Sequence, residues 1–404
     1  MRYSSSFITQ LPKADLHVHL DGSLRLSTLI DIAIKERIAL PAYSEKKLQA
    51  LVFKPTFKNL AEYLTCFDHA LLILRKPKHL ERCAYELGCD ALADGVRYIE
   101  VRFAPQQHVI PRKFTIEHVI KAVHDGLLRA ANEHNQSSAV KEGRDIPFVF
   151  GVIVCAMRTF SAQSSEYYAH FLKTKKTANA EALSQAALAL IKTAVQLRDK
   201  EGLAVVGLDV AGKEIGWHAV TFKPAYEYAQ KHLMCTTVHA GEDLGAESIY
   251  HALISLHPDR IGHGLHIFND NQLALAHIKN RTLFLERLAG LMARKNIAIE
   301  SCISSNFQTN PSIKDLSEHP LPRFVEWKIP VVLCTDNRLV SRTTLSHEYE
   351  ILLDYRPVPP ERLKALLLRG FTHGFYPGSW TERNAFIAVV QKQIDSIFAQ
   401  HKIG

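Results

Sequence analysis

The chain has 404 residues, 47% of them hydrophobic and 22% charged, which excludes a disordered or collagen-like protein and provides for a large core. Its formal charge of +8 is scattered, and the densest basic run, Lys173 to Thr177, is short, lacks interleaved aromatics and reads as a solvated loop, not a nucleic-acid surface. The longest apolar stretch, FVFGVIVCAM from Phe148, is far too short to span a bilayer, so neither a membrane nor a nucleic acid is expected as a partner.

The N-terminal MRYSSSFITQLPK has no apolar signal segment. Seven cysteines, odd in number and without a C-x-x-C, suit a reducing, cytoplasmic setting better than a disulfide framework. The first strand is expected over ADLHVHL from Ala14, where alternation places His17 and His19 on one face, ahead of an Asp21–Gly22 turn. A long helical interval follows, including FKNLAEYLTCFDHALLIL and HLERCAYELGCDALADG. It exceeds the needs of a simple crossover and reads as an inserted helical cap over about residues 26–94. Within it Leu60, Tyr63, Leu64 and Phe67 recur at i, i+3, i+4 and i+7 on one helix. Plain packing of that helix is the simpler reading; an apolar wall over a ligand is the other.

Further strands are expected at VRYIEVRFA (from Val96), PFVFGVIVCA (from Pro147), LAVVGLDVA (from Leu203) and CTTVHA (from Cys235). RIGHG (from Arg260), IAIESC (from Ile297) and PVVLCTD (from Pro330) complete the series. All but the weak RIGHG are continuous apolar runs, as in parallel strands buried on both faces. Helical patterns separate them, among them IEHVIKAVHDGLLRAANEH, EALSQAALALIKTAVQLRDKEG and FKPAYEYAQKH. This alternation predicts an α/β protein, a (β/α)8 TIM barrel forming one domain over residues 1–404, with a doubly wound open sheet as the alternative.

Most strands end in polar residues: His17, His19 and Asp21; Asp209 and Gly212; His239 and Glu242; His263; Ser304 to Asn306; Thr335 to Asn337. A barrel gathers such ends at one mouth. Singly, a histidine on a strand is more often a hydrogen-bonded core residue than a ligand, and the H-x-H pair brings the two readings level. Together, His17, His19, His239 and Asp336 offer three nitrogens and a carboxylate, a donor set that suits zinc.

The motifs HVHLDGS, VAGKE, HAGE, RIGHG, SSN and CTDN occur in an order that resembles the adenosine deaminase family of metal-dependent amidohydrolases, from about Leu11 to Leu353. The resemblance implies hydrolytic deamination of adenosine or 2′-deoxyadenosine, a small-molecule purine nucleoside as partner, and one Zn²⁺ per chain held by His17, His19, His239 and Asp336. It further implies that Glu242 gives a proton to purine N1 and that His263 orients or helps deprotonate the attacking water. Asp21 would bind the ribose 5′-hydroxyl, the Gly212 N–H would face N3, and His19 would also lie beside the substrate. Binuclear relatives use a bridging lysine at the fourth strand end; AVVGLDVA has none, although Lys213 lies just beyond it. The family often has an aspartate that donates to N7 where this chain has Asn337, an amide that donates at any pH. Alternatives are deamination of adenine, methylthioadenosine or N6-methyl-AMP, hydrolysis of a cyclic amide, or a non-enzymatic barrel. Deamination of the cytidine-deaminase kind needs P-C-x-x-C, which is absent.

Overall fold

The computed structural model describes residues 3–175, 179–269 and 278–403. Among them, each expected strand forms: β1 Lys13–His19, β2 Val96–Phe103, β3 Val149–Met157, β4 Val205–Ala211, β5 Cys235–Ala240, β6 Arg260–His263, β7 Ala298–Ser301 and β8 Val331–Leu333. They pair in parallel and in chain order. The ring closes between β8 and β1, where the His19 N–H donates to Asp336 O and the Asp336 N–H to His17 O, both at 2.7 Å. Closure excludes the open doubly wound sheet. Strands without an edge carry apolar side chains on both faces, and all eight are buried almost throughout for this reason.

Helices Ile116–Asn135, Asn179–Glu201 and Lys223–Lys231 match the expected segments. The second stops at Gly202, whose φ of +70° suits the residue after a helix. Between β1 and β2 lie Leu26–Glu36, Glu45–Leu51, Leu60–Leu64, Phe67–Ile73 and Pro77–Ala93. The last packs closely on Ile116–Asn135, where a Cβ on Gly88 would meet Ala130 at 2.8 Å, as a helix of the outer ring does.

Two expectations need correction. The segment FKNLAEYLTCFDHALLIL is not one helix: the chain breaks at Thr65 and Cys66. There the Thr65 hydroxyl donates to Glu62 O at 2.7 Å, so a β-branched side chain caps the turn instead of continuing it. The basic run is not wholly a loop either. Lys173 to Lys175 end the helix Glu166–Lys175, exposed to solvent, and the remaining Lys176 and Thr177 lie outside the described residues. No helix among the described residues is long and apolar enough to cross a membrane.

Candidate active site

The C-terminal strand ends converge on a cavity of about 280 Å³. Its walls include His19, Asp21, Gly212, His239, Glu242, His263, Asp336 and Asn337, so residues more than 300 positions apart meet there. His17 sits just beneath, fully buried, with its ring 4.6 Å from His239, 4.9 Å from His263 and 5.3 Å from His19. Its Nε2 and that of His19 each lie 3.5 Å from Asp336 Oδ1, and the His19 and His239 Nε2 atoms are 3.3 Å apart. Ligand atoms of His17, His19 and Asp336 form one group within 4.8 Å of each other, and those of His17, His239 and His263 form a second.

The local backbone serves this convergence. His263 and Asp336 hold φ values of +64° and +59°, a left-handed conformation uncommon outside glycine. Both leave their strands by this sharp turn, which carries the side chain into the mouth. Such conformations cluster where function demands them.

Each basal histidine is oriented by a carboxylate. His17 Nδ1 is 2.7 Å from Glu300 Oε2, and His239 Nδ1 is 3.0 Å from Asp209 Oδ2. Both carboxylates are tied to Arg102, at 2.9 and 2.8 Å. Buried ion pairs hold Asp209 and Glu300 well below the usual carboxylate range against the pull of burial. With its Nδ1 so engaged, His17 presents Nε2, which is buried and has no hydrogen-bond partner. Burial pushes His19 and His239 below the usual histidine value, leaving them neutral. Burial also opposes ionisation of Asp336, but its close contacts with the imidazoles of His17, His263 and His19 hold its pKa well below the usual carboxylate range. Imidazoles of His17 and His239 with a fixed Nδ1, a carboxylate whose pKa is held low and an orphaned Nε2 form a set of donors that fits a metal cation.

Glu242 is the opposite case. Burial, reinforced by Asp336, Glu214 and Asp243, raises its pKa well above the usual value, with Arg158 opposing. Its Oε1 is 3.7 Å from His263 Nε2. The loop that carries it folds around Glu214: the Gly241 N–H donates to Oε1 at 2.8 Å, and those of Asp243 and Leu244 to Oε2 at 3.0 and 2.9 Å. Asp21 is buried with an unpartnered Oδ1, and burial pushes it to about 7.

Asn337 Nδ2 donates to the Tyr63 hydroxyl at 2.9 Å, and its Oδ1 is buried without a partner. Gly22 is required here, because a Cβ would stand 1.8 Å from that oxygen. Leu60, Tyr63, Leu64 and Phe67 all line the cavity despite the break in their helix. Lys213 is exposed at the rim.

The sequence did not point to Glu300 or Arg102 as parts of the site; it offered Tyr63 only as part of an apolar wall, not as the hydrogen-bond partner of Asn337, and it named Asp209 without a partner. One signal was available: a glutamate inside the four-residue buried strand Ala298–Ser301 must face a cation or a proton donor.

The adenosine deaminase family pattern matches residues 12–184 and 174–392. The chain is 33% identical over 388 residues to an adenosine deaminase from Mycobacterium avium, covering 95% of each protein. It is 32% identical over 371 residues to one from Enterococcus faecalis, covering 92% of this chain and 94% of the other. Among solved structures, an amidohydrolase from Burkholderia ambifaria with bound zinc superposes with a TM-score of 0.75 at 19% identity, over 99% of this chain and 96% of that one. An adenine deaminase from Arthrobacter aurescens gives 0.72 at 19% identity, over 95% and 99%. At these identities the two structures share the fold.

Proposed function

Because the chain belongs to the adenosine deaminase family and is a hydrolase of that type, we propose that it converts adenosine and 2′-deoxyadenosine to inosine and 2′-deoxyinosine with release of ammonia. What carries this reading is the pairing of unlike carboxyl groups in one cavity: Asp336, in contact with imidazoles that hold its pKa low, and Glu242, buried beside other carboxylates that push its pKa well above the usual range. Purine C6 is a poor electrophile, and addition of water there drives electron density onto N1. A proton from Glu242 neutralises that density as it develops. Ammonia then leaves from the tetrahedral carbon.

His17, His19, His239 and Asp336 would hold one zinc ion per chain. When bound, zinc supplies a nucleophile at neutral pH by lowering the pKa of a water to about 7. His263, beside Glu242, faces the same reacting carbon. Asp21, buried with a free oxygen, accepts the ribose 5′-hydroxyl. The Gly212 N–H faces N3; its φ of +98° turns this backbone toward the cavity it lines. Asn337 donates to N7 with its second N–H. Leu60, Leu64 and Phe67 cover the base. Seven unpaired thiols support a reducing, cytoplasmic setting.

The test is a substrate panel of adenine, adenosine, 2′-deoxyadenosine, methylthioadenosine, AMP and N6-methyl-AMP, followed by aminopurine absorbance, with metal content measured on the same sample. Adenosine and deoxyadenosine should have the highest kcat/KM, with one zinc per chain. Preferential turnover of adenine or of a nucleotide would replace this substrate assignment.

A further inference from the structure

We propose that His319 and Asn306 are positioning residues that fix His263 in the tautomer with its proton on Nε2, so that His263 enters the reaction as a hydrogen-bond donor and not as a base. The inference rests on the deamination reading only for its catalytic consequence; the tautomer follows from the order of donors and acceptors.

That order starts at a backbone group whose role cannot be reversed. Leu321 is the first residue of the helix Leu321–Glu326, so its N–H has no partner within the helix. It lies 3.1 Å from His319 Nδ1 and can only donate. Nδ1 of His319 is therefore unprotonated, and the neutral ring carries its proton on Nε2. Burial supports neutrality by pushing His319 down to about 3. The Nε2–H lies 3.1 Å from Asn306 Oδ1, which accepts it and fixes the amide orientation. Asn306 Nδ2 then faces His263 Nδ1 at 3.2 Å and must donate to it. With Nδ1 accepting, the neutral His263 ring is protonated on Nε2, the atom that faces Glu242. All three side chains are buried, so water does not compete for these bonds.

Two consequences follow. An Nε2 that carries a proton cannot also bind a cation, so the donor group containing His263 gives way to His17, His19, His239 and Asp336. Of the two roles open to His263, orienting the attacking water is the one this tautomer permits.

The test is ¹⁵N NMR of the histidine-labelled, zinc-loaded protein, with the His263 signals among the 21 histidines assigned by their loss in His263→Gln. Wild type should show a protonated, pyrrole-type Nε2 and an unprotonated Nδ1. Asn306→Asp should reverse the pattern, since a carboxylate accepts from Nδ1–H. Its kcat should fall on the order of 10²-fold with KM nearly unchanged. His319→Phe, which frees the amide to rotate, should give a mixture of tautomers and a smaller loss. A wild-type proton on Nδ1, or an Asn306→Asp protein with unchanged spectrum and rate, would overturn the proposal. If Asn306→Asp does not fold, the wild-type and His319→Phe spectra decide. A protein with the expected spectrum that turns over none of the aminopurines would sink the deamination reading and leave the relay intact.

Discussion

Two polar layers lie inside the same barrel and obey opposite rules. Below the mouth, Arg260 donates to Glu300 at 2.6 Å and to Glu100, Tyr98 donates to Glu100 at 2.8 Å, and Thr237 donates to Glu300 at 2.9 Å. None of these five side chains leaves a buried polar atom unpartnered, and Arg102, which joins Glu300 to Asp209, leaves only its Nε so. At the mouth, His17 Nε2, Asp21 Oδ1 and Asn337 Oδ1 are all buried and unpartnered. A polar layer that only stabilises the barrel satisfies its own atoms, because each lost partner costs about 1–3 kcal/mol. A layer that leaves several atoms open at one spot is shaped for something that arrives from outside. Glu300 belongs to both, with one oxygen on Arg260 and Thr237 and the other on His17.

The largest effect is expected at the proposed metal donors. Asp336→Ala should abolish stoichiometric metal binding and all turnover, as measured by elemental analysis beside an activity assay; a fully metallated, active variant would show that the upper layer is only another structural network. Glu242→Gln keeps the shape and removes the acid. It should retain the metal while kcat falls about 10²–10⁴-fold. Near-normal turnover would remove Glu242 from proton transfer.

The residue shared by the layers sharpens the contrast. Glu300→Gln cannot hold two arginines and a histidine as an anion does. Metal affinity should weaken about 10–100-fold through the loosened His17. The melting temperature should fall too, because Arg102 and Arg260 lose charge compensation. A variant that loses stability but keeps its metal affinity would confine Glu300 to the lower layer.

Much of the upper layer is legible in the sequence because chemistry interrupts apolar runs. HVH, HAGE and CTDN place polar residues where strands otherwise read as continuous hydrophobic stretches, and barrel closure then brings them together. The partners of those residues are harder to read. Glu300 faces His17 across 283 positions, and only strand order and inward or outward parity pair them. The break at Thr65 escapes a periodicity argument, since the apolar spacing of Leu60, Tyr63, Leu64 and Phe67 is unchanged on either side of it. Asn337 stands out as a residue, but its hydrogen bond to Tyr63 depends on how the cap sits on the barrel.

A smaller effect comes from Glu214, which shapes the Glu242 loop and adds like charge near it. The proposed reaction needs Glu242 protonated, so activity should be present below its pKa and lost as pH rises through it. Glu214→Gln removes a negative charge and lowers that pKa. The alkaline limb of the kcat/KM profile should therefore move to lower pH, by about one unit. Loss of rate at every pH with no movement of the limb would leave Glu214 a purely structural role.

The smallest expected effect concerns the apolar lining of the same cavity. Leu64 is half-buried and touches both the cavity and the hydrophobic core. If its exposed face covers the base, Leu64→Ala removes apolar contact worth about 1 kcal/mol from bound substrate, and KM should rise about fivefold with kcat and melting temperature nearly unchanged. If Leu64 only packs the cap, the same truncation lowers the melting temperature and leaves KM alone. The cavity lining favours the first outcome: Leu60, Leu64 and Phe67 supply apolar surface in the same cavity as Asp21, Glu242 and Asn337, which suits a flat heterocycle with polar edge atoms. A fall in melting temperature at constant KM would mean that the mouth, like the layer beneath it, has a wall built for the fold alone.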